Sequence, residues 1–252
     1  MRVVVLLSAG RHPVSGRAIL PPLEAQAIAM ALALDPHCYG LHAGCTPDGV
    51  ADAPGYGLPS LDLLTIDADV DPVPALAADL SKRKPDLIVA GRRGQGGNDT
   101  GLLPYALAEA LHLPLLNDIV SAAQEDSDGM GRFEQALPKG AKRRVTMLLP
   151  AIVTVHPLAP AAAPFAYAKA RRGTIEFREG PSGEAAPGLF ETRSRRARPK
   201  LMRQADAESD GGGAAIIDPD PDDAARMIVD YLERLGVRRL RNEASRTTDH
   251  RD

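Results

Sequence analysis

The sequence predicts an α/β protein with a mostly parallel, Rossmann-like sheet. Short apolar runs of strand length recur along the first 155 residues, among them Val3-Val4-Val5-Leu6-Leu7 and Asp86-Leu87-Ile88-Val89-Ala90. Alanine- and leucine-rich stretches of helical length lie between several of them. Strands that alternate with helices at this spacing need right-handed crossovers and a sheet covered on both faces.

The first run ends at Ser8-Ala9-Gly10 and is apolar throughout, the pattern of a strand buried on both faces. Residues 22–34 contain a single charge, Glu24, and open with proline, which a helix accepts in its first turn; this is expected to be a buried helix. Residues 39–43, 61–66 and 86–90 read as the second, third and fourth strands. A helix is expected over 74–82, stopped by Lys84-Pro85, and another over 100–112. After Pro114 the texture changes. Residues 118–120, 132–136 and 144–149 are short runs separated by turn residues such as Asp128-Gly129 and Lys139-Gly140, the signature of antiparallel strands added to the sheet. Residues 150–155 return to a buried-strand pattern, followed by an alanine- and proline-rich stretch over 157–168.

Residues 178–213 are dominated by Gly, Ser, Arg, Pro and Asp, with too little apolar surface to offset ordering entropy, and are expected to form an extended arm. Residues 222–235 read as a last helix, with Ala224, Met227, Ile228, Tyr231 and Leu232 at helical spacing and aspartates in its first turn. The expected division is therefore an α/β domain over 1–177 and an arm with a C-terminal helix over 178–252.

Bulk composition removes several function classes. The 252 residues carry a formal net charge of -3 and no basic stripe interleaved with aromatics, so no nucleic-acid footprint is present. The apolar run at the amino terminus is too short for a signal-peptide core, and no segment reaches membrane-spanning length, so a cytoplasmic protein without direct membrane insertion is expected. Cys38 and Cys45 lack CxxC spacing and read as reduced packing residues. The six histidines are dispersed without HxH or HExxH spacing, so no metal is expected. No catalytic triad or supported carboxylate pair is evident, so no catalytic residue is assigned.

Several motifs, in order along residues 1–175, resemble the beta (small) subunit of electron transfer flavoproteins. Leu20-Pro21-Pro22-Leu23-Glu24 is similar to that family's Asn-Pro-x-x-Glu entry to its first helix, with Leu in place of Asn. Lys84-Pro85-Asp86-Leu87-Ile88-Val89-Ala90-Gly91 resembles the strand leading to its nucleotide loop. Leu149-Pro150-Ala151-Ile152-Val153-Thr154-Val155 resembles the end of its signature, and Ala168-Lys169-Ala170-Arg171-Arg172 the basic stretch after its partner-recognition loop. Where the family has acidic residues and glycines before Leu-Pro-Ala, this chain reads Leu137-Pro138-Lys139-Gly140-Ala141-Lys142-Arg143, which marks a divergent member. The resemblance implies a sheet of the adenine-nucleotide-binding type and an electron carrier rather than an enzyme. It also implies a heterodimer with an alpha (large) subunit that holds most of the FAD, with flavin dehydrogenases as donors and a membrane quinone oxidoreductase as acceptor.

The segment Gly91-Arg92-Arg93-Gly94-Gln95-Gly96-Gly97-Asn98-Asp99-Thr100-Gly101 lies between an expected strand and an expected helix, at the carboxyl edge of the sheet where α/β proteins bind ligands. Glycines let backbone N–H groups turn toward an anion, the helix start adds partial positive charge, and Arg92 or Arg93 can contact phosphate. Neither GxGxxG nor GxxxxGK[ST] occurs, which counts against a dinucleotide dehydrogenase and a P-loop NTPase. The resemblance implies AMP at this loop, which in the family ends in Asn-Gln-Thr-Gly; Asn98-Asp99-Thr100-Gly101 keeps three of the four. A second register, anchored on Ala108-Glu109, puts Leu102 and Leu103 at the polar pair instead, and both registers stay open. The family's adenylate also lies near positions that map to Leu6, to 20–23, and to Ala43 and Gly44.

The resemblance further places a partner-anchoring loop in the stretch 157–172. The family uses an exposed leucine there; this chain offers Phe165, with Tyr167 beside it and the cations Lys169, Arg171 and Arg172 following. Two other functions match the sequence less closely. An adenine-nucleotide-binding signalling module similar to universal stress proteins needs G-x2-G-x9-G-[ST]; Gly91 and Gly94 begin that pattern, but its later glycine falls on Pro104, followed by Tyr105. A small oxidoreductase with its own active site lacks both fingerprint and base.

Overall fold

The computed structural model describes residues 1–12, 14–68, 70–93, 101–124, 129–181 and 219–234. The chain divides into two compact units, residues 1–191 and 192–252.

The first unit is organised by a nine-stranded sheet with the order β11-β5-β4-β1-β6-β10-β7-β8-β9. Its centre is made of β1 (Val3–Leu6), β6 (Leu87–Gly91) and β10 (Ala151–Val155), which are buried along their whole length. Their continuous apolar sequences have this cause: alternate side chains point to opposite faces, and both faces are covered. Val3 and Val5 join a core under α1 (Pro22–Leu34), while Val4 and Leu6 join a second core under α2 (Pro72–Arg83) and α3 (Leu103–Leu111). β4 (Tyr39–Gly44) and β5 (Ser60–Thr65) extend the parallel sheet beyond β1.

On the other side β10 pairs in parallel with β6 and with β7 (Leu115–Gln124), so a strand late in sequence is inserted between two earlier ones. β8 (Met130–Ala136) and β9 (Lys142–Leu148) then continue the sheet in antiparallel fashion. The added antiparallel strands expected after Pro114 are thus present, with β7 longer than the segment 118–120 that was read as strand. The mixed sheet is the α/β architecture the apolar runs predict.

Four features depart from the sequence reading. A two-stranded ribbon, β2 (Gly10–Arg11) and β3 (Ala18–Ile19), precedes α1, and a 3-10 segment, Val50–Tyr56, precedes β5. A short helix α4 (Tyr167–Arg172) leads into β11 (Thr174–Glu179), which pairs in parallel with β5 at the sheet edge. Arg178 and Glu179, read from composition as the start of an arm, complete that strand. Finally, the helix expected over 100–112 begins at Leu103. Gly101, at φ +72°, turns the chain in the left-handed region two residues earlier, and Thr100 lies outside the described residues.

The second unit is represented by α5 (Pro221–Arg234), where Met227, Ile228, Tyr231 and Leu232 are exposed. Among the described residues no helix is long and apolar enough to cross a membrane.

Candidate functional site

Because β1, β4, β5, β6 and β10 run in parallel, their carboxyl ends lie along one edge, with Leu6, Gly44, Thr65, Gly91 and Val155 as the last strand residues. The chain leaves β1 toward α1 on one face and leaves β6 toward α3 on the other. The strand order thus reverses between neighbours, the position at which ligands bind in open α/β sheets as a general rule.

Of the residues expected to hold a nucleotide, the structure brings Leu6, Ala43, Gly44, Gly91, Arg92 and Gly101 to this edge or to the segment leaving it. Leu6 is 3% exposed and packs into the core under α2 and α3, as does the half-buried Ala43. Gly91 is the buried end of β6. Arg92 is half exposed, and its Nε lies 3.3 Å from Asp118 Oδ1. Asp118 itself sits at φ +56° where the register of β7 shifts, and its backbone N–H donates to Thr154 Oγ1 at 3.0 Å. Gly94, Gly97, Asn98, Asp99 and Thr100 lie outside the described residues.

Two further residues, Glu24 and His42, stand at this edge. Glu24, in the first turn of α1, is 2% exposed and turns its carboxyl back onto Ser8, accepting from the Ser8 backbone N–H at 2.7 Å and from the Ser8 hydroxyl. Burial pushes its pKa up to about 8, opposed by both Ser8 hydrogen bonds. A Cβ on Gly91 would approach Glu24 Cγ to 3.0 Å, so the carboxyl stem lies directly against the end of β6. The signal for Glu24 was legible: it is the one charge in an otherwise uncharged helix. His42 on β4 is 6% exposed, and its Nδ1 lies 2.8 Å from the carbonyl oxygen of Leu7. Burial lowers its pKa, partly opposed by the Leu7 hydrogen bond. Nothing in the local sequence distinguishes it from a core histidine.

Among the described residues, neighbouring side chains occupy the space that the glycines at the strand ends leave: a Cβ on Gly44 would lie 2.4 Å from His42 Nε2, and one on Gly91 3.0 Å from Glu24 Cγ. Among those residues no group of His, Cys, Asp or Glu is arranged to hold a metal ion.

The residues expected to meet a partner form a second constellation. Phe165 is 43% exposed. Its ring stands edge-on to Tyr56, with centroids 5.4 Å apart at 69°, and packs so close to Gly55 that a Cβ there would lie 2.2 Å from it. The backbone N–H of Ala166 donates to Gly55 O at 2.8 Å, which pins the start of α4 onto the 3-10 segment. Tyr167 is 69% exposed, and Lys169, Arg171 and Arg172 are exposed on α4.

Fold and edge together define a doubly wound α/β protein whose ligand crevice, by the general rule for such sheets, lies at the carboxyl ends of its parallel strands. A family model described as the electron transfer flavoprotein domain matches residues 14–180. The chain is also 36% identical to a protein of Chromohalobacter salexigens named electron transfer flavoprotein subunit beta, over 92% of this chain and 94% of that one. The chain therefore belongs to the electron transfer flavoprotein family, on its beta-subunit side, as the motif order along residues 1–175 implied. That family consists of electron carriers, so the chain is a carrier subunit and not an enzyme.

Proposed function

We propose that this chain is the cytoplasmic small subunit of a heterodimeric electron transfer flavoprotein. It pairs with an alpha subunit that holds most of the FAD, accepts electrons from flavin dehydrogenases and delivers them toward a membrane quinone oxidoreductase. The observation that carries this reading is the likeness to a named beta subunit over nearly the whole of both chains. FAD supplies the redox chemistry when bound; the protein sets its position and surroundings. The small subunit's own nucleotide is an AMP with a structural role. Leu6, Ala43, Gly44 and Gly91 stand on the strand-end side of its site, and Arg92, Gly94, Gly97, Asn98, Asp99, Thr100 and Gly101 are the residues after β6 assigned to it by the resemblance. Arg92, paired with Asp118, is then already engaged by a carboxylate. Phe165, Tyr167, Lys169, Arg171 and Arg172 form the contact for a dehydrogenase, an aromatic anchor ringed by cations that steer toward an acidic surface.

Co-expression with a large subunit tests the whole reading. The isolated chain is expected to purify without flavin, and the complex to show an oxidised-flavin absorption spectrum. Stoichiometric FAD on the lone chain overturns the simple carrier and assigns a second flavin to the small subunit.

A further inference from the structure

We propose that the open face of the antiparallel extension β7-β8-β9 is the seat of the large subunit, which meets it with an acidic surface. The proposal rests on the reading that this chain works as a heterodimer, and deepens it by naming the surface and the charge of what covers it.

The extension has two unlike faces because side chains alternate along its strands. Gly131, Phe133 and Gln135 on β8 are buried, whereas Arg132 between them is exposed and Glu134 half-buried. Register sets Ser121, Glu134 and Arg144 in one row across the open face, Ala123, Arg132 and Thr146 in the next, and Lys142 opposite Ala136 in a third. Short side chains on β7 beside long ones on β8 and β9 leave a hollow of about 350 Å³, with Ser121, Ala123, Arg132, Glu134 and Arg144 among its lining.

Charge on this face is one-sided. Arg132, Lys142 and Arg144 are exposed, and Glu134 is the one carboxylate in these rows. Its contacts with Lys142 at 3.9 Å and Arg144 at 4.0 Å are long for ion pairs and leave both cations more than half exposed. The chain as a whole carries a net charge of -3, so the positive face is a local arrangement and not the outcome of a basic composition.

β9 is the last strand of the sheet and pairs with β8 alone, so among the described residues its outer backbone edge meets no other strand. Cations on such an edge repel a second copy of the same edge. Lys142, Arg143 and Arg144 are consecutive and exposed there, which disfavours self-pairing and favours an acidic partner. The other end of the sheet carries β11, preceded by α4 and the contact proposed for a dehydrogenase. A carrier must keep its flavin-holding subunit while it docks a donor, so the two partners need separate surfaces, and opposite ends of the sheet provide them. A carboxylate of the large subunit that enters the hollow meets guanidinium groups from both β8 and β9.

The test mixes the full chain with a large subunit purified with its FAD and follows association by surface plasmon resonance at low and high salt. Wild-type association is expected to slow about tenfold at high salt, and Arg144→Glu to slow it about tenfold at low salt with little further dependence on salt. Lys82→Glu, an equal change of charge on α2, is expected to associate as the wild type does. Arg144→Glu that associates like the wild type overturns the proposal and leaves the heterodimer standing. Lys82→Glu that slows association as much as Arg144→Glu overturns it too, because overall charge then accounts for the steering. No association by the wild type removes the heterodimer reading itself. Hydrogen exchange on the wild-type complex is independent of how the variants fold. The amides of residues 142–148 are expected to exchange more slowly with the large subunit bound, and unchanged exchange there overturns the assignment of this face.

Discussion

Glu24 sits in the first turn of α1 with its carboxyl turned away from solvent onto Ser8, and its proton affinity follows from that position. Its folded pKa is about 8 against an ordinary 4.5. Between these values the folded chain holds a proton that the unfolded chain has released, so this residue makes stability fall as pH rises from about 4.5 to about 8 and then level off. Glu24→Gln keeps a neutral hydrogen-bonding group there at every pH. In denaturant unfolding, the variant's stability relative to wild type is expected to grow by roughly 2–4 kcal/mol between pH 5 and pH 9. A constant difference across that range would show that Glu24 is ionised in the fold. The two cysteines separate at the same scale. Cys38 is buried, and burial, followed by the neighbouring Asp35, pushes its thiol up to about 12, so it is the inert packing residue that the sequence suggested. Cys45 is exposed, which corrects that reading for the second thiol: it follows Gly44 at the strand edge, where the chain turns outward. Iodoacetamide is expected to label Cys45 in the native protein and Cys38 only after unfolding, as mass spectrometry of the peptides would show.

Element positions on one flank of the sheet are held by charges as well as by apolar packing. Asp62 on β5 and Asp79 on α2 are both nearly buried, and each is bridged by two arginines. Arg83 reaches Asp79 at 3.2 Å and also Asp62, while Arg178 on β11 reaches Asp79 at 2.6 Å and Asp62 at 3.1 Å. Arg178 therefore fastens the edge strand β11 to α2 and to the strand beside it. Removing it leaves two buried carboxylates sharing one cation. Arg178→Met is expected to cost about 2 kcal/mol, below the value for a fully buried pair because a third of the side chain is exposed. A loss within a few tenths of a kcal/mol, read by denaturant unfolding, would mean that the edge strand holds without it. α4 just before β11 rests on the 3-10 segment through Phe165, Gly55 and Tyr56. Phe165→Ala is expected to lower stability by about 1 kcal/mol, since the ring is only partly buried, and to slow electron transfer from a dehydrogenase severalfold. A normal transfer rate with a marked fall in melting temperature would return Phe165 to a purely structural role.

At the scale of the whole molecule, the parallel strands place every candidate nucleotide residue that is described along one edge, while the antiparallel extension β7-β8-β9 lies at one end of the sheet and β11 at the other. The AMP proposed for that edge would stabilise the folded chain by mass action. Denaturing freshly purified protein is expected to release AMP detectable by chromatography, and dialysing it away beforehand should lower the melting temperature. Finding no nucleotide favours the register in which Leu102 and Leu103 replace the polar pair at the loop.

The sequence by itself determined the layered α/β plan, because a strand buried on both faces must be apolar along its length, and a proline or glycine must stand where each element ends. Val3-Val4-Val5-Leu6, Leu87-Ile88-Val89-Ala90 and Ala151-Ile152-Val153 carry that information locally. It determined the family as well, through motifs in order, and it marked Glu24 as an anomaly in an apolar helix. What only the tertiary structure decided are the pairings between polar groups far apart in the chain: His42 with Leu7, 35 residues away, Arg178 with Asp79 and Asp62, 99 and 116 residues away, and Arg92 with Asp118. Hydrophobic periodicity records which face of an element is buried but not which residue of another element meets it. A polar group at a buried position therefore reads the same from sequence whichever distant group it pairs with.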